Sequence, residues 1–298
     1  MSDQLTQATS PQAIKDGFDQ LGYVADQELA TILFLSLNLR KPLLLEGNPG
    51  VGKTEVANIL SNWLQLPLIR LQCYEGLDVS TAVYEWNYQK QLISIKIQEH
   101  SDKSEEEKTR FIFSEEFLLE RPLLQAIRAK DVPPVLLIDE IDRADEEFEA
   151  FLLELLSAFQ ISIPELGTVK AVHKPLVILT SNRTRELGDA LKRRCLYYWI
   201  PYPDREKEMQ IVQKHMPGLE PQLIEQLVSF VQEVRQQEVD KVPGVAETLD
   251  WAQGLLALGF KNLSPESIET TLGCLLKSSD DIASFKGEVL STLLEKIR

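Results

Sequence analysis

From residue 43 to residue 200, short apolar runs alternate with segments in which apolar residues recur every three or four positions. The first pattern is typical of buried strands, and the second is typical of helices that pack on a sheet. The apolar runs predict five strands, at 43–46, 68–71, 135–139, 176–180 and 196–200. Their alternation with helical segments predicts an α/β fold, a parallel five-stranded sheet with helices on both faces.

After residue 202 the pattern changes to helices joined by short polar segments. Helices are expected at 205–215, 222–235, 247–258, 265–276 and 282–297. Residues 1–20 are polar and contain Pro11, which favours a loose N-terminal arm before a first helix at 27–39. We therefore predict an arm at 1–20, an α/β domain at 21–202 and a small all-helical lid domain at 203–298.

Two local patterns add detail to the α/β part. The segment 84–97 includes the alternating string L-I-S-I-K-I, which is typical of a hairpin of strands. This segment is a candidate for an insertion that faces a substrate. Asp145 precedes a helix whose apolar residues share one face, so we expect Asp145 to cap that helix and its apolar stripe to be core.

A glycine-rich loop joins the first predicted strand to a helix. Its sequence, G-N-P-G-V-G-K-T, matches the pattern G-x-x-x-x-G-K-[ST] that wraps nucleotide phosphates. Glycines let backbone N–H groups turn onto phosphate, the lysine reaches the β- and γ-phosphates, and the threonine hydroxyl binds Mg²⁺. A glycine turn without a ligand is the alternative, which the flanking strand and helix disfavour. The candidate nucleotide-binding residues are Gly47, Asn48, Pro49, Gly50, Val51, Gly52, Lys53, Thr54 and Glu55, with Thr54 also a metal ligand.

Two acids, Asp139 and Glu140, follow the apolar run V-L-L-I. A buried parallel strand delivers such side chains at the carboxyl edge of its sheet, where ligands bind. Asp139 would hold Mg²⁺ through the water shell of the metal, and Glu140 would orient or deprotonate the water that attacks the γ-phosphate. An apolar strand that ends in two acids is also common for structural reasons, but the upstream loop favours the functional interpretation.

Charge and composition narrow the function classes. The 298 residues carry a formal net charge of −15, which argues against a broad nucleic-acid-binding face, because a phosphate backbone requires basic residues. No apolar stretch approaches the roughly 18 residues of a membrane span, and the N-terminus lacks the pattern of a signal peptide. The scattered cysteines Cys73, Cys195 and Cys274 fit a reducing compartment and show no zinc-binding spacing. We expect a cytoplasmic protein whose metal is the magnesium that accompanies a nucleotide.

This arrangement resembles the AAA+ ATPases, and three longer strings are similar to the MoxR-type, CoxD-like subgroup. They are R-L-Q-C-Y-E-G-L-D at 70–78, Y-E-W-N-Y at 84–88 and E-E-F-L-L-E-R-P-L-L at 115–124. The resemblance implies that ATP is the nucleotide and that the protein forms a ring, usually a hexamer. It also implies a chaperone that remodels or matures metalloenzymes together with a partner containing a von Willebrand factor A domain. The segment 161–167 resembles the hairpin that precedes the first sensor in this family, and it is a second candidate for an insertion that faces a substrate.

The resemblance also assigns roles to later residues. Asn182 matches the first sensor, which holds the attacking water, although a turn residue is the alternative. Arg194 best fits the arginine finger, which acts in the neighbouring subunit and stabilises charge on the γ-phosphoryl group. Arg193 is nearly as good a candidate, and basic residues that complement a helix dipole are another explanation. The stretch at 243–251 lacks the second-sensor arginine and has Glu247 in its place.

The sequence therefore favours an oligomeric, Mg²⁺-dependent ATPase that couples hydrolysis to the remodelling of a client protein. A nucleic-acid motor or loader on the same fold is one alternative, and the acidic net charge argues against it. A scaffold whose assembly is controlled by ATP without turnover is another. The combination of Glu140 with a candidate arginine finger argues against that second alternative.

Overall fold

The computed structural model describes residues 7–98 and 104–296, which form two compact units. The sheet unit comprises the described residues within 1–14, 27–46 and 57–198. The helical unit comprises those within 15–26, 47–56 and 199–298. The glycine-rich loop thus belongs by its packing to the helical unit. The domain bounds that we predict from the sequence stay predictions.

The strands belong to one large sheet and two small ones. They are β1 Leu43–Gly47, β2 Leu68–Gln72, β3 Tyr84–Trp86, β4 Leu118–Glu120, β5 Val135–Asp139, β6 Gln160–Ile163, β7 Gly167–Lys170, β8 Leu176–Ser181 and β9 Leu196–Ile200. The large sheet has five strands in the order β2-β5-β8-β1-β9, and the pairs β2–β5, β5–β8 and β8–β1 are parallel. This confirms the predicted α/β class. Because the paired strands are parallel, the residues that follow β5 and β8 lie at the same edge of the sheet.

Helices connect most of the strands along the chain and make up most of the helical unit. They are α1 Pro11–Gln20, α2 Gln27–Leu39, α3 Lys53–Leu64, α4 Val79–Ala82, α5 Tyr88–Gln98, α6 Glu105–Ile112, α7 Pro122–Arg128, α8 Glu146–Ala158, α9 Asp189–Arg194, α10 Arg205–His215, α11 Pro221–Val234, α12 Val245–Ala257, α13 Pro265–Leu275, α14 Ser279–Ser284 and α15 Glu288–Lys296. Asp145 caps α8 by accepting a hydrogen bond from the backbone N–H of Phe148 at 2.9 Å, as the sequence predicts. No helix within residues 7–98 and 104–296 is long and apolar enough to cross a membrane.

Each unit has its own apolar core. In the sheet unit, strand residues such as Leu136, Ile138 and Leu179 pack with Phe148 and Leu152 of the predicted stripe on α8. The core of the helical unit is built around Trp251 and its neighbours on α11 and α13. The indole N–H of Trp251 donates to the hydroxyl of Thr271 at 2.7 Å, so this fully buried ring leaves its polar atom satisfied.

The predicted loose arm is a partial error. Residues 11–20 form helix α1, and residues 1–6 lie outside the described residues. The hydroxyl of Ser10 accepts a hydrogen bond from the N–H of Ala13 at 3.1 Å, and Pro11 occupies the first turn, where a proline is tolerated. Ile14 and Phe18, four residues apart on one helix face, are completely buried. Two apolar residues at helical spacing therefore outweigh the polar composition of the segment.

The hairpin predicted at 84–97 is wrong, whereas the one at 161–167 is confirmed as β6 and β7. Strand β3 pairs antiparallel with the distant β4, with Tyr84 opposite Glu120, and the string L-I-S-I-K-I lies in α5. The side chain of Asn87 accepts a hydrogen bond from the N–H of Lys90 at 3.0 Å and so caps this helix. The alternation misleads because the apolar residues of α5 are exposed, namely Leu92, Ile93, Ile95 and Ile97.

The last predicted helix, at 282–297, is interrupted. The structure has α14 and α15 in its place, and residue 297 lies outside the described residues. Phe285 is buried after the end of α14, and Gly287 adopts a φ of +64°, which a helix does not contain. The buried aromatic ring and the left-handed glycine together break the helical path.

Candidate functional site

The glycine-rich loop runs from the end of β1 into α3. Gly50 and Gly52 have φ values of +76° and +90°, in the left-handed region that residues with a Cβ rarely adopt. The ammonium group of Lys53 donates hydrogen bonds to the carbonyl oxygens of Gly47 and Asn48, each at 2.8 Å. The loop therefore has its sharp turns and its lysine in place.

The remaining predicted loop residues differ in exposure. Val51 is buried and Pro49 is exposed, while Thr54 and Glu55 lie in the first turn of α3. A helix N-terminus carries free backbone N–H groups and a partial positive charge, which favour a bound phosphate. The loop and the start of α3 thus present the usual features of an anion-binding turn.

Within the helical unit, the N-terminus of α12 contacts this loop. The carbonyl oxygen of Gly50 accepts hydrogen bonds from the N–H groups of Val245 and Ala246 at 2.9 and 3.2 Å. Glu247 occupies the position at which the family resemblance places a second-sensor arginine, and its carboxylate accepts a hydrogen bond from the N–H of Gly244 at 2.9 Å. Glu247 therefore caps α12 and brings no positive charge to this position.

A buried ion pair holds the segment that precedes α12. The guanidinium of Arg235 donates to both carboxylate oxygens of Glu208 at 2.7 Å, and its Nε donates to the carbonyl oxygen of Pro243 at 2.8 Å. Glu208 also accepts a hydrogen bond from the hydroxyl of Thr248 on α12 at 2.8 Å. Because Glu208 is fully buried, loss of one partner would leave an uncompensated charge. The network therefore fixes the start of α12, and with it the contact to Gly50.

At the carboxyl edge of the sheet, Asp139 ends β5 and is almost completely buried. Its Oδ2 accepts a hydrogen bond from Nη2 of Arg70 at 2.5 Å, and its Oδ1 accepts one from the hydroxyl of Thr180 at 2.5 Å. Arg70 lies on β2 and Thr180 on β8, the two strands that flank β5. Both oxygens of the carboxylate are thus held by neighbouring strands.

Glu140 follows in a left-handed backbone conformation, with φ of +54° and ψ of +49°. Its backbone N–H donates to the hydroxyl of Thr180 at 2.9 Å. Gln72 and Arg143 donate to carboxylate Oε2 at 3.2 and 2.8 Å, and the amide of Asn182 donates to Oε1 at 3.3 Å. The structure therefore places the predicted sensor beside the predicted base, which follows Asp139 in the chain.

Two buried carboxylates hold the segment that leads from Asn182 to α9. Asp142 accepts hydrogen bonds from the N–H and the hydroxyl of Thr184 at 2.9 and 2.7 Å. Burial opposes the ionisation of Asp142, but these bonds, together with hydrogen bonds from the backbone of Asn182 and of Asp142 itself, outweigh it and lower the pKa of Asp142 below the usual range. Glu149, on α8, accepts a hydrogen bond from the N–H of Gly188 at 2.9 Å and pairs with Arg185. Gly188 immediately precedes α9, so Glu149 fixes the start of that helix.

The candidate finger residues lie at the end of α9 and are exposed. Nη1 of Arg194 donates to the carbonyl oxygen of Ala190 at 3.1 Å, one turn earlier in the same helix. Neither Arg193 nor Arg194 is among the described partners of Glu140. Exposure at the end of a short, anchored helix agrees with a role outside this subunit, and it equally agrees with basic side chains that complement the helix dipole.

Cys73 lies next to Asp139 in the fold. Its backbone N–H donates to the carbonyl oxygen of Asp139 at 2.8 Å, and its side chain is buried. Burial raises the pKa of the Cys73 thiol to about 12, and the neighbouring charges of Asp139, Asp142 and Glu140 act in the same direction. Cys73 is therefore a neutral packing residue.

The sequence interpretation missed several side chains of this site. They are Arg70, Gln72, Asp142, Glu149, Thr180, Thr184 and Arg185. The first two carry a signal, since a strand that is otherwise apolar places two polar residues on one face, at positions i and i+2. The others depend on contacts between segments about 40 residues apart along the chain, for which the sequence pattern gives no indication.

The donor atoms at the edge suit Mg²⁺ better than a transition metal. Within the described residues, no group of three or more His, Cys, Asp or Glu side chains is arranged to hold a metal ion. A buried carboxylate oxygen such as Oδ2 of Asp139 is the hard ligand that Mg²⁺ prefers, and Mg²⁺ usually takes its remaining ligands from water and phosphate. The residues present therefore fit a metal that arrives with a nucleotide.

Comparison with known proteins gives one family match. Residues 42–195 match the AAA domain family, dynein-related subfamily. The match begins just before β1 and ends just after α9, so it includes the glycine-rich loop, both acids, Asn182 and both candidate arginines.

Similar proteins add little about activity. A protein of Staphylococcus epidermidis is 27% identical over 203 residues, covering 66% of this chain and 69% of that protein. A protein of Staphylococcus haemolyticus is 26% identical over 204 residues, covering 66% of this chain and 70% of that protein. Both are described as uncharacterized.

Among solved structures, a mutant of RuvB from Thermotoga maritima has a TM-score of 0.48 at 14% identity, covering 89% of this chain and 70% of that chain. Another, entitled the RuvB Holliday junction branch migration motor, has a TM-score of 0.46, also at 14% identity, covering 89% of this chain and 69% of that chain.

Proposed function

Because the chain belongs to the AAA domain family, dynein-related subfamily, we propose that it is a Mg²⁺-dependent ATPase. The observation that supports this most directly is the position of the Glu140 carboxylate. It is held by Gln72, Asn182 and Arg143, beside the buried Asp139, at the carboxyl edge of a parallel sheet. A carboxylate that is held in position at the edge where ligands bind is placed to act on a water molecule.

The glycine-rich loop and the start of α3 would bind the phosphates of ATP. On binding, Lys53 would exchange the carbonyl groups of Gly47 and Asn48 for the β- and γ-phosphates, which attract its charge more strongly. Mg²⁺, when bound, would neutralise charge on these phosphates. The hydroxyl of Thr54 would bind it, and the carboxylate of Asp139 would hold it through its water shell.

Glu140 would act as the base in hydrolysis. It accepts a proton from water as the water oxygen attacks the γ-phosphorus, and the bond from that phosphorus to the bridging oxygen breaks, which releases ADP and phosphate. The amide of Asn182 would hold the water in line for attack. Arg194 would stabilise the charge on the transferring group in a neighbouring subunit, so that turnover requires assembly.

Phosphate release from ATP tests the proposal. We expect the wild type to hydrolyse ATP in a Mg²⁺-dependent manner and Lys53→Met to bind ATP about 10- to 100-fold more weakly, the usual value of a hydrogen bond to a charged group. Affinity is measured with a fluorescent ATP analogue, and hydrolysis is measured by phosphate release. A wild type that binds ATP without turnover in every oligomeric form would instead support a nucleotide-controlled scaffold.

The contact between α12 and the loop gives a second prediction. A Cβ on Gly244 would lie 2.8 Å from both Cα of Gly50 and the carbonyl oxygen of Pro49, which are backbone atoms that move only if the loop moves. We expect Gly244→Ala to weaken ATP binding about ten-fold, a cost within the range for overpacking. Affinity is measured by the same fluorescence titration.

Gly273→Ala is the matched control for this substitution. Gly273 lies within α13, and a Cβ there meets no atom within 4 Å. Its ATP affinity should equal that of the wild type, and its helix should be slightly more stable. Equal affinities in both variants would mean that the α12 contact does not support the loop.

We further propose that the protein is a MoxR-type, CoxD-like cytoplasmic chaperone that forms a ring, with a hexamer expected. The strings at 70–78, 84–88 and 115–124 support this subgroup. In that role it would remodel or mature a metalloenzyme client together with a von Willebrand factor A domain partner. Molar mass measured with and without ATP tests the ring. Stimulation of hydrolysis by a purified partner domain encoded beside this chain's gene tests the pairing.

A nucleic-acid motor remains the competing class on this fold. The formal net charge of −15 disfavours it, because a phosphate backbone is bound through basic side chains. The discriminating result is simple. Stimulation of ATP hydrolysis by DNA, and loss of that stimulation at higher salt, would support the motor over the chaperone.

A further inference from the structure

Arg70 forms an ion pair with Asp139, and the proposed mechanism gives this arginine no role. Its Nη2 donates to Oδ2 of Asp139 at 2.5 Å and to Oε1 of Gln72 at 2.6 Å. In the pairing of β2 with β5, Arg70 is opposite Leu137 and Gln72 is opposite Asp139. The guanidinium therefore extends along the strand direction to reach the carboxylate, and it lies on the same face of β2 as Gln72.

The two partners of this ion pair differ in exposure. The side chain of Asp139 is 3% exposed, whereas that of Arg70 is 52% exposed. A buried carboxylate needs a nearby cation, because an uncompensated buried charge is strongly destabilising. The arginine lies on the solvent side and can leave the carboxylate without being desolvated elsewhere. Arg70 can therefore be replaced by another cation, whereas Asp139 requires one.

Oδ1, the other carboxylate oxygen of Asp139, cannot exchange its hydrogen-bond partner for a metal ion. The hydroxyl of Thr180 donates its hydrogen to Oδ1 at 2.5 Å and accepts a hydrogen bond from the N–H of Glu140 at 2.9 Å. Both functions of this hydroxyl are thus used, and its position is fixed between two backbone segments. Oδ2 is therefore the oxygen that would face a metal, and Arg70 already occupies it. A guanidinium and a dication on one oxygen would repel each other.

We propose that Arg70 is the counter-ion of Asp139 in the metal-free protein and that Mg²⁺ displaces it. Arg70 then sets the Mg²⁺ concentration at which nucleotide and metal bind together. This inference rests on the proposed function, since it takes Asp139 as a ligand of Mg²⁺ or of its water shell. After displacement the guanidinium stays on Gln72, which also contacts Glu140, so metal binding changes the surroundings of the proposed base.

The test compares two variants that lose one arginine charge each. Arg70→Met keeps an apolar side chain of similar reach, and Arg121→Met is the control. Arg121 forms an ion pair of the same 2.5 Å length with Glu85, and its side chain is 43% exposed. Each protein is titrated with MgCl₂ at a fixed concentration of a fluorescent ATP analogue. The half-saturating Mg²⁺ concentration should fall about ten-fold in Arg70→Met and stay unchanged in Arg121→Met.

A second readout uses neither nucleotide nor activity. In EDTA, Arg70→Met should melt at a lower temperature than the wild type, and MgCl₂ alone should raise its melting temperature more than that of the wild type. Arg70→Lys keeps the charge, so its half-saturating Mg²⁺ should lie between those of Arg70→Met and the wild type. If Arg70→Met fails to fold, Arg70→Lys replaces it in the Mg²⁺ titration.

Three outcomes would overturn the inference. They are an unchanged half-saturating Mg²⁺ in Arg70→Met, a raised one, and an equal fall in Arg121→Met, which would show a general effect of charge. The proposed function fails separately if the wild type binds no ATP analogue at any Mg²⁺ concentration. In that case the melting experiment without nucleotide still tests the exchange at Asp139.

Discussion

Glu140→Gln should bind ATP with nearly wild-type affinity and lose hydrolysis by about 10²- to 10⁴-fold, the contribution of a positioned general base. Glutamine keeps the size of the side chain and one carbonyl oxygen to accept hydrogen bonds from Gln72 or Asn182. It cannot accept the proton of the attacking water. Because the variant replaces only one carboxylate oxygen by an amide nitrogen, it separates the binding of ATP from its hydrolysis.

Single-turnover phosphate release, together with the affinity for a fluorescent ATP analogue, measures both quantities. Glu225→Gln is the control, because Glu225 is an exposed carboxylate that pairs with Arg205 on the surface of the helical unit. It removes the same charge and should leave turnover unchanged. Normal hydrolysis by Glu140→Gln would contradict the assignment of the base.

Arg194→Ala should lose about 10³-fold or more of turnover while ATP affinity and oligomer size stay unchanged, as for arginines that act in trans on a γ-phosphate. The side chain is exposed and is bonded to the carbonyl oxygen of Ala190 in its own helix. Truncation therefore disturbs little within the subunit. If the arginine serves a neighbouring site, mixing Arg194→Ala with Glu140→Gln should restore part of the activity. In the mixed ring, a subunit with an intact base would lie next to one with an intact finger.

Arg193→Ala is the matched control for this experiment, because it removes an identical charge one residue away on the same exposed helix end. If Arg193→Ala loses turnover and Arg194→Ala does not, the finger is Arg193. If neither variant loses turnover, hydrolysis does not depend on an arginine of α9, and the ring mechanism is wrong. Molar mass in solution must be measured for each mixture, since lost assembly would mimic a lost finger.

The elements that could be predicted from the sequence are those whose apolar pattern coincides with burial. Strands β1, β5 and β8 are continuous apolar runs, and each is fully buried between other elements. The pattern misled at α5, where apolar residues face outward and their alternation does not reflect packing. It also misled at α1, where the two residues that matter, Ile14 and Phe18, are outnumbered by polar neighbours.

For the site, the sequence indicates which residues carry the chemistry but not what holds them. The sequence motif predicts the role of Glu140, and the family resemblance predicts that of Asn182. The 3.3 Å between the amide nitrogen of Asn182 and Oε1 of Glu140 depends on the pairing of β5 with β8. The contact of Arg70 with Asp139 spans 69 residues along the chain and depends on the register of β2 against β5. Register is set by the packing of whole strands, so no local pattern predicts it.

The helix-capping role of Glu247 is another contact that the sequence does not predict. The sequence reveals that an arginine is missing at 243–251, but only the structure shows that the acid found there bonds the N–H of Gly244. The contact of α12 with the glycine-rich loop uses backbone groups and therefore does not require the charge that a second-sensor arginine would supply.

The left-handed backbone conformation of Glu140 lowers the stability of the fold at the residue that is proposed to catalyse hydrolysis. A residue with a Cβ in this conformation is destabilised by about 1–2 kcal/mol relative to a right-handed one, whereas glycine adopts it freely. Glycine at position 140 would remove this strain, but it would also remove the side-chain bonds of Glu140 and the proposed turnover. On the proposed mechanism, the strain at Glu140 therefore accompanies its role as the base. Stabilised variants of this protein should be sought at other positions.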